Sequence, residues 1–124
     1  RCDYIIPDKG IIIDIKTTSK PAGLEMFKLT VNQYSYQLSA ALYSQVAYDL
    51  YRKNFDFYFI VVSKSDLKTD VYKLSLASAA IGHNMVNKAL VKYKKCIETG
   101  NWADNKIPLG LQEETDDEYK IEEV

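Results

Sequence analysis

The chain has 124 residues, 47% hydrophobic and 12% aromatic with ten tyrosines, which suits one domain with a real core and argues against disorder. Two cysteines, Cys2 and Cys96, exclude a disulfide scaffold and a four-cysteine metal site and make a reducing interior the default. The net charge of −1 hides an asymmetry: residues 113–124 hold seven acids and one base, leaving fifteen bases against ten acids in residues 1–112, a net of +5; such a body fits a polyanion partner, as it fits many ordinary proteins.

In chain order, strands are expected at residues 2–7 and 11–17, with Pro7-Asp8-Lys9-Gly10 as turn chemistry between them. Residues 19–30 contain Pro21 and Gly23 and read as a loop with at most a short helical piece. Residues 31–53 lack Gly and Pro and read as one helix, with Tyr36, Ala40, Tyr43 and Ala47 on one face. The run FDFYFIVVS, residues 55–63, has the continuous apolar character of a strand buried on both faces. Ser65-Asp66 opens a polar turn, and residues 70–76 alternate as a half-buried strand. A second helix is expected at 78–99, with Ile81, Met85, Ala89, Tyr93 and Ile97 as a core stripe, Lys88, Lys92 and Lys95 on another face, and Gly100 as the stop.

The segment after Asn105 is expected to be loose, with residues 1–112 forming the core and 113–124 an acidic, disordered tail. The longest strongly apolar run, 57–62, is far short of a membrane span, and no signal peptide is visible. The first residue is Arg1 and a strand begins at once, so the chain reads as a fragment whose natural N-terminus is missing. Strand, strand, helix, strand, strand, helix implies a mixed sheet flanked by helices, α/β or α+β.

The chemistry concentrates in RCDYIIPDKGIIIDIKTTS, residues 1–19. Asp14 and Lys16 are two apart on a strand of isoleucines and so share a face. An acid two residues before a lysine is cheap in itself. It recurs at Asp66/Lys68, Asp104/Lys106 and Glu118/Lys120, where a solvated pair is the better reading. Only Asp14/Lys16 follows an isoleucine run and has an acid, Asp3, across a turn. A two- or four-residue loop would set Asp3 opposite Asp14, about 5 Å apart at Cβ; a three-residue loop with a Gly bulge would shift that register. Two carboxylates so close repel unless a cation lies between them, and a hard divalent ion bound by oxygens removes the cost. Lys16 would then orient water or steady charge on a phosphate.

These residues resemble motifs II and III of the PD-(D/E)XK nuclease superfamily, and the wider chain resembles the nuclease domain of RecE-type exonucleases (exodeoxyribonuclease VIII) and their phage relatives. The likeness extends through YSYQLSAALYS, FYFIVVS and the helix ending CIETGNW, covering nearly all of residues 1–102. It implies a restriction-endonuclease-like α/β core whose N-terminal part is missing from this chain. It makes Asp3 the motif II metal ligand, with Arg1 and Cys2 where the family often has Arg-Pro. It makes Asp14 the motif III acid, Ile15 a ligand through its backbone carbonyl, and Lys16 the catalytic lysine. Thr17, Thr18, Gln37 and Tyr43 become substrate-binding candidates, although the family glutamine four residues before the tyrosine is here Ser39. A further acid is expected from a helix upstream of motif II.

The implied cofactor is Mg²⁺, with Mn²⁺ as a substitute. The implied activity is 5′ to 3′ digestion of double-stranded DNA ends in phage-type recombination or repair. The compartment is then the cytoplasm of a bacterial or phage-infected cell. The implied partners are a single-strand annealing recombinase, the missing N-terminal segment and copies of the chain in a homo-oligomeric ring, with no membrane. Another repair or restriction endonuclease of the superfamily, or a DNA-binding module that has lost catalysis, remain alternatives. His83, the only histidine, makes no metal cluster, and the tyrosines at 34, 36, 43, 48 and 51 read mostly as core and rim.

Overall fold

A computed structural model describes residues 1–102 and 121–123. The elements are β1 (Tyr4–Ile6), β2 (Ile11–Thr18), α1 (Leu24–Tyr34), α2 (Tyr36–Tyr51), β3 (Asp56–Ser63), β4 (Thr69–Leu74), α3 (Leu76–Thr99) and β5 (Ile121–Glu123). The strands form one mixed sheet in the order β1-β2-β3-β4-β5. Only β2 and β3 are parallel; the other neighbours are antiparallel. A parallel pair needs a long crossover, which α1 and α2 supply between β2 and β3. The fold is α/β, with the mixed sheet and packed helices of a restriction-endonuclease-like core.

Pro7–Lys9 form one 3₁₀ turn, closed by Gly10 in the left-handed region at φ 65. Glycine suits that conformation because it has no Cβ to clash. The four-residue connection pairs Ile6 with Ile11, Ile5 with Ile12 and Tyr4 with Ile13. The register open in the sequence is therefore the one that carries Asp3 opposite Asp14.

The core lies on one face of the sheet. Ile12, Phe57, Phe59, Val61, Tyr72 and Leu74 are buried there against Phe27 and Val31 of α1 and Ala40 and Ala47 of α2. Phe27 is the hub, stacked on Tyr72 at 5.2 Å and edge-on to Phe59 at 5.4 Å. Tyr72 donates its hydroxyl hydrogen to the Ala22 carbonyl, so burying the phenol leaves no polar atom orphaned. Tyr36, Ala40, Tyr43 and Ala47 do share the core-facing side of α2. The third helix packs on α2, where Gly82 meets the Gln37 carbonyl.

Several expectations need correction. A helix, α1, occupies Leu24–Tyr34, beginning in the stretch expected as a loop with a short helical piece and running into the expected helix, and the helix expected over 31–53 is broken at Ser35, whose φ is 52. That left-handed residue ends α1 with its N–H on the Asn32 and Val31 carbonyls and lets α2 start in a new direction. The third strand is buried on one face only; Tyr58, Ile60 and Val62 are half-buried. All three helices lie toward the other face, so among the described residues no helix shields that second one. The expected core stripe of α3 is also incomplete: Tyr93 and Ile97 are more than half exposed. The helix runs 24 residues and has already reached the first turn of the 16-residue α2 by Gly82, so its later turns pass beyond that partner. At the other end of the chain, Ile121–Glu123 pair antiparallel with β4. Residues 103–120 and 124 of the expected loose segment lie outside the described residues.

Candidate metal centre

The isoleucines of β2 explain how its charges are held. Ile12 is buried in the core, and the two-residue repeat puts Asp14 and Lys16 on the same face, farther along the strand. There the helical cover thins. Asp14 is 6% exposed, whereas Lys16 is half-buried and Asp3 is exposed. The site thus runs from a shielded carboxylate to an open one.

Asp3 reaches across from the strand edge just before β1. Its Oδ2 accepts the Ile15 backbone N–H at 2.7 Å. This hydrogen bond is the main cause that holds the Asp3 carboxyl below its ordinary value of 3.8, with Asp14 and Lys16 acting in the same direction. A backbone donor stabilises the charged form, so Asp3 enters any reaction near neutral pH as an anion. The hairpin register sets Asp14 opposite Asp3, and Asp14 pairs with Lys16, Oδ2 to Nζ, at 2.7 Å. The Lys16 ammonium also lies 4.3 Å from the centre of the Tyr36 ring.

Two opposed carboxylates and a backbone carbonyl are the oxygen donors that a hard divalent ion takes. Mg²⁺ commonly binds through one or two carboxylates and keeps its waters. The N–H and C=O of one strand residue point to the same side. The Ile15 carbonyl is therefore directed toward the Asp3 edge, where its N–H already lies. Among the described residues, no three His, Cys, Asp or Glu side chains come together. The residues present would accordingly offer a divalent ion two carboxylates and one backbone carbonyl as oxygen donors.

The remaining candidates separate. Thr17 is exposed on the opposite sheet face from Asp14 and Lys16, because one residue along a strand reverses the side chain. It does not join this cluster. Thr18 shares the site face, and its Oγ1 accepts the Lys20 N–H at 3.1 Å. Gln37 is fully buried; its Nε2 donates to Asn32 at 3.4 Å, and its Oε1 has no partner among the described residues. The Tyr43 hydroxyl accepts a hydrogen bond from the backbone nitrogen of Arg1 at 2.7 Å, two residues before Asp3. Tyr36, expected on the core face of the helix over 31–53, also stands beside Lys16, a neighbour that the spacing along the chain does not reveal.

Over residues 1–106 the sequence matches a family described as a PDDEXK-like domain of unknown function, DUF3799. The chain belongs to this family. It is therefore a member of the PD-(D/E)XK nuclease superfamily in its fold and lineage, and Asp3, Asp14 and Lys16 all lie within the matched span. No curated protein matches the chain. No helix among the described residues is long and apolar enough to cross a membrane.

Proposed function

We propose that this PDDEXK-like domain is the core of a divalent-metal-dependent DNA exonuclease of the RecE type. It would hydrolyse phosphodiesters 5′ to 3′ from double-stranded ends, in phage-type recombination or repair. The observation that supports this reading is the placement of Asp3 and Asp14 across one hairpin with Lys16 on the same face. A cation bound there would supply Lewis acidity and lower the pKa of a bound water.

The protein's own groups have distinct tasks in this reading. Asp3, Asp14 and the Ile15 carbonyl are the donors that would hold Mg²⁺, with Mn²⁺ as a substitute. The Asp3 anion is kept ready by the Ile15 N–H. Asp14 anchors Lys16, and the Lys16 ammonium offers protons to the oxygen on which negative charge develops. The open side of the site, at Asp3, admits a nucleic-acid backbone. The same reading brings in a single-strand annealing partner and a ring-shaped oligomer, and places the protein in a bacterial or phage-infected cytoplasm.

The test is digestion of end-labelled linear duplex and closed circular DNA by the full-length protein, with Mg²⁺ and with a chelator. Metal-dependent loss of linear DNA alone, ordered from the 5′ label, supports the exonuclease reading. Cutting of circles points to an endonuclease. DNA binding with no cleavage in Mg²⁺ or Mn²⁺ points to a binding module that has lost catalysis. Asp14→Asn should abolish cleavage while leaving the fold intact by circular dichroism; full activity in that variant would remove Asp14 from the chemistry.

A further inference from the structure

We infer that Tyr36 is a positioning residue for Lys16, holding the ammonium in place through the face of its ring. This inference rests on the nuclease reading above for its kinetic consequence, but not for its geometry. The Lys16 Nζ lies 4.3 Å from the Tyr36 ring centroid, inside the ~6 Å range in which the ring quadrupole attracts a cation. The ring itself is fixed. It packs on Phe59 at 6.1 Å, on Tyr34 at 5.7 Å and near Phe27 at 6.4 Å. Phe59 is the register partner of Asp14 on β3, so the aromatic cluster abuts the acid and the lysine from the core side.

Lys16 has two described attractions here, the Asp14 carboxylate at 2.7 Å and the Tyr36 ring. They respond differently to a metal. A divalent ion would draw on the Asp14 carboxylate and weaken its hold on the ammonium, because the ion's larger charge dominates the local field. The ring face, unlike a carboxylate, is a poor ligand for a hard divalent ion, which takes oxygen donors. Once metal is bound, Tyr36 is the group that keeps a long, flexible side chain aimed at the substrate instead of solvent. The hydroxyl plays no part in this, so phenylalanine should serve in its place.

Three variants of the full-length protein test the assignment in single-turnover cleavage of duplex DNA with Mg²⁺. Tyr36→Phe should retain the wild-type rate. Tyr36→Leu should cleave about fivefold to thirtyfold more slowly, the range expected for losing a partly desolvated cation–π contact, with DNA affinity unchanged. In a Lys16→Met background, Tyr36→Leu should cause no further loss. Because Tyr36 also packs in the core, a second series guards against simple misfolding. Phenylalanine carrying one, two, three or five fluorines at position 36 keeps the shape while draining the ring face of negative charge. The rate should fall with each fluorine.

A spectroscopic readout separates failure of this inference from failure of the nuclease reading. The Lys16 ε-methylene proton signals should be shifted upfield by the ring in the wild type and in Tyr36→Phe, with and without Mg²⁺, and should return to ordinary values in Tyr36→Leu. If the protein cleaves no DNA but shows this shift, the nuclease reading fails and the contact stands. A rate indifferent to fluorination, an equal loss from Tyr36→Leu in the Lys16→Met background, or loss of the ring shift on adding Mg²⁺ would overturn the positioning role.

Discussion

Replacing Gly82 with alanine perturbs the stability of the domain and, through one helix turn, its candidate site. A Cβ at position 82 would lie 2.1 Å from the Gln37 carbonyl oxygen, 2.8 Å from its carbon and 3.0 Å from the Ala41 Cβ. The closest approach is about 1.3 Å short of the 3.4 Å at which ordinary contact begins. The obstacle is backbone, so no rotamer change relieves it and α2 and α3 must move apart. Overpacking of this kind costs about 1–3 kcal/mol, and a clash with backbone belongs at the upper end. Alanine is favoured over glycine inside a helix by about 1 kcal/mol, which leaves a net destabilisation of about 2 kcal/mol. With a urea m-value of about 1–3 kcal/mol/M, the midpoint should fall by about 1 M. Gln37 follows Tyr36 directly, so the shift should also disturb the ring that faces Lys16 and slow cleavage. Urea unfolding followed by circular dichroism, with Gly23→Ala as the control because nothing lies within 4 Å of that position, checks the reasoning. An equal or higher midpoint for Gly82→Ala would show that the helix propensity dominates and that α2 and α3 do not meet closely at this point.

Lys16→Ala should lower cleavage turnover about a hundredfold or more with DNA affinity nearly unchanged, since its proposed charge partner develops only in the transition state; near-normal turnover with weakened binding in a filter assay would make it a groove lysine instead. Phe27→Ala removes the ring that packs on Phe59, Tyr72 and Tyr36 and should cost about 3–5 kcal/mol in denaturant unfolding. Asp66 accepts the Lys68 N–H at 3.1 Å in the β3–β4 turn and its pKa is lowered from 3.8, chiefly by that bond. Its folded-state value is the lower one, so its stabilisation is complete above pH 3.8 and is lost as pH falls through the lowered value; a carboxyl titration by NMR with its midpoint at or above 3.8 would contradict the turn geometry.

Local chemistry determined much of this protein in advance. The order of the first four strands, the hairpin at Pro7-Asp8-Lys9-Gly10, the stop at Gly100 and the shared face of Asp14 and Lys16 follow from turn residues and from the two-residue repeat of a strand. Those are short-range rules, and they also narrowed the Asp3 register to two choices. The break at Ser35 was not legible, because a left-handed serine carries no glycine-like signal, and its conformation is held by its backbone hydrogen bonds at the junction of the two helices. Burial was equally hidden. The apolar run 55–63 says nothing of which sheet face receives helices, and Tyr93 and Ile97 repeat like core residues on turns that no described helix covers. The site shows the same division. Sequence spacing aligned an acid with a lysine, whereas the choice of hairpin register, the Ile15 N–H on Asp3 and the Tyr36 ring beside Lys16 depend on contacts between residues distant along the chain. Such contacts are decided by how whole elements pack, which only the tertiary structure specifies.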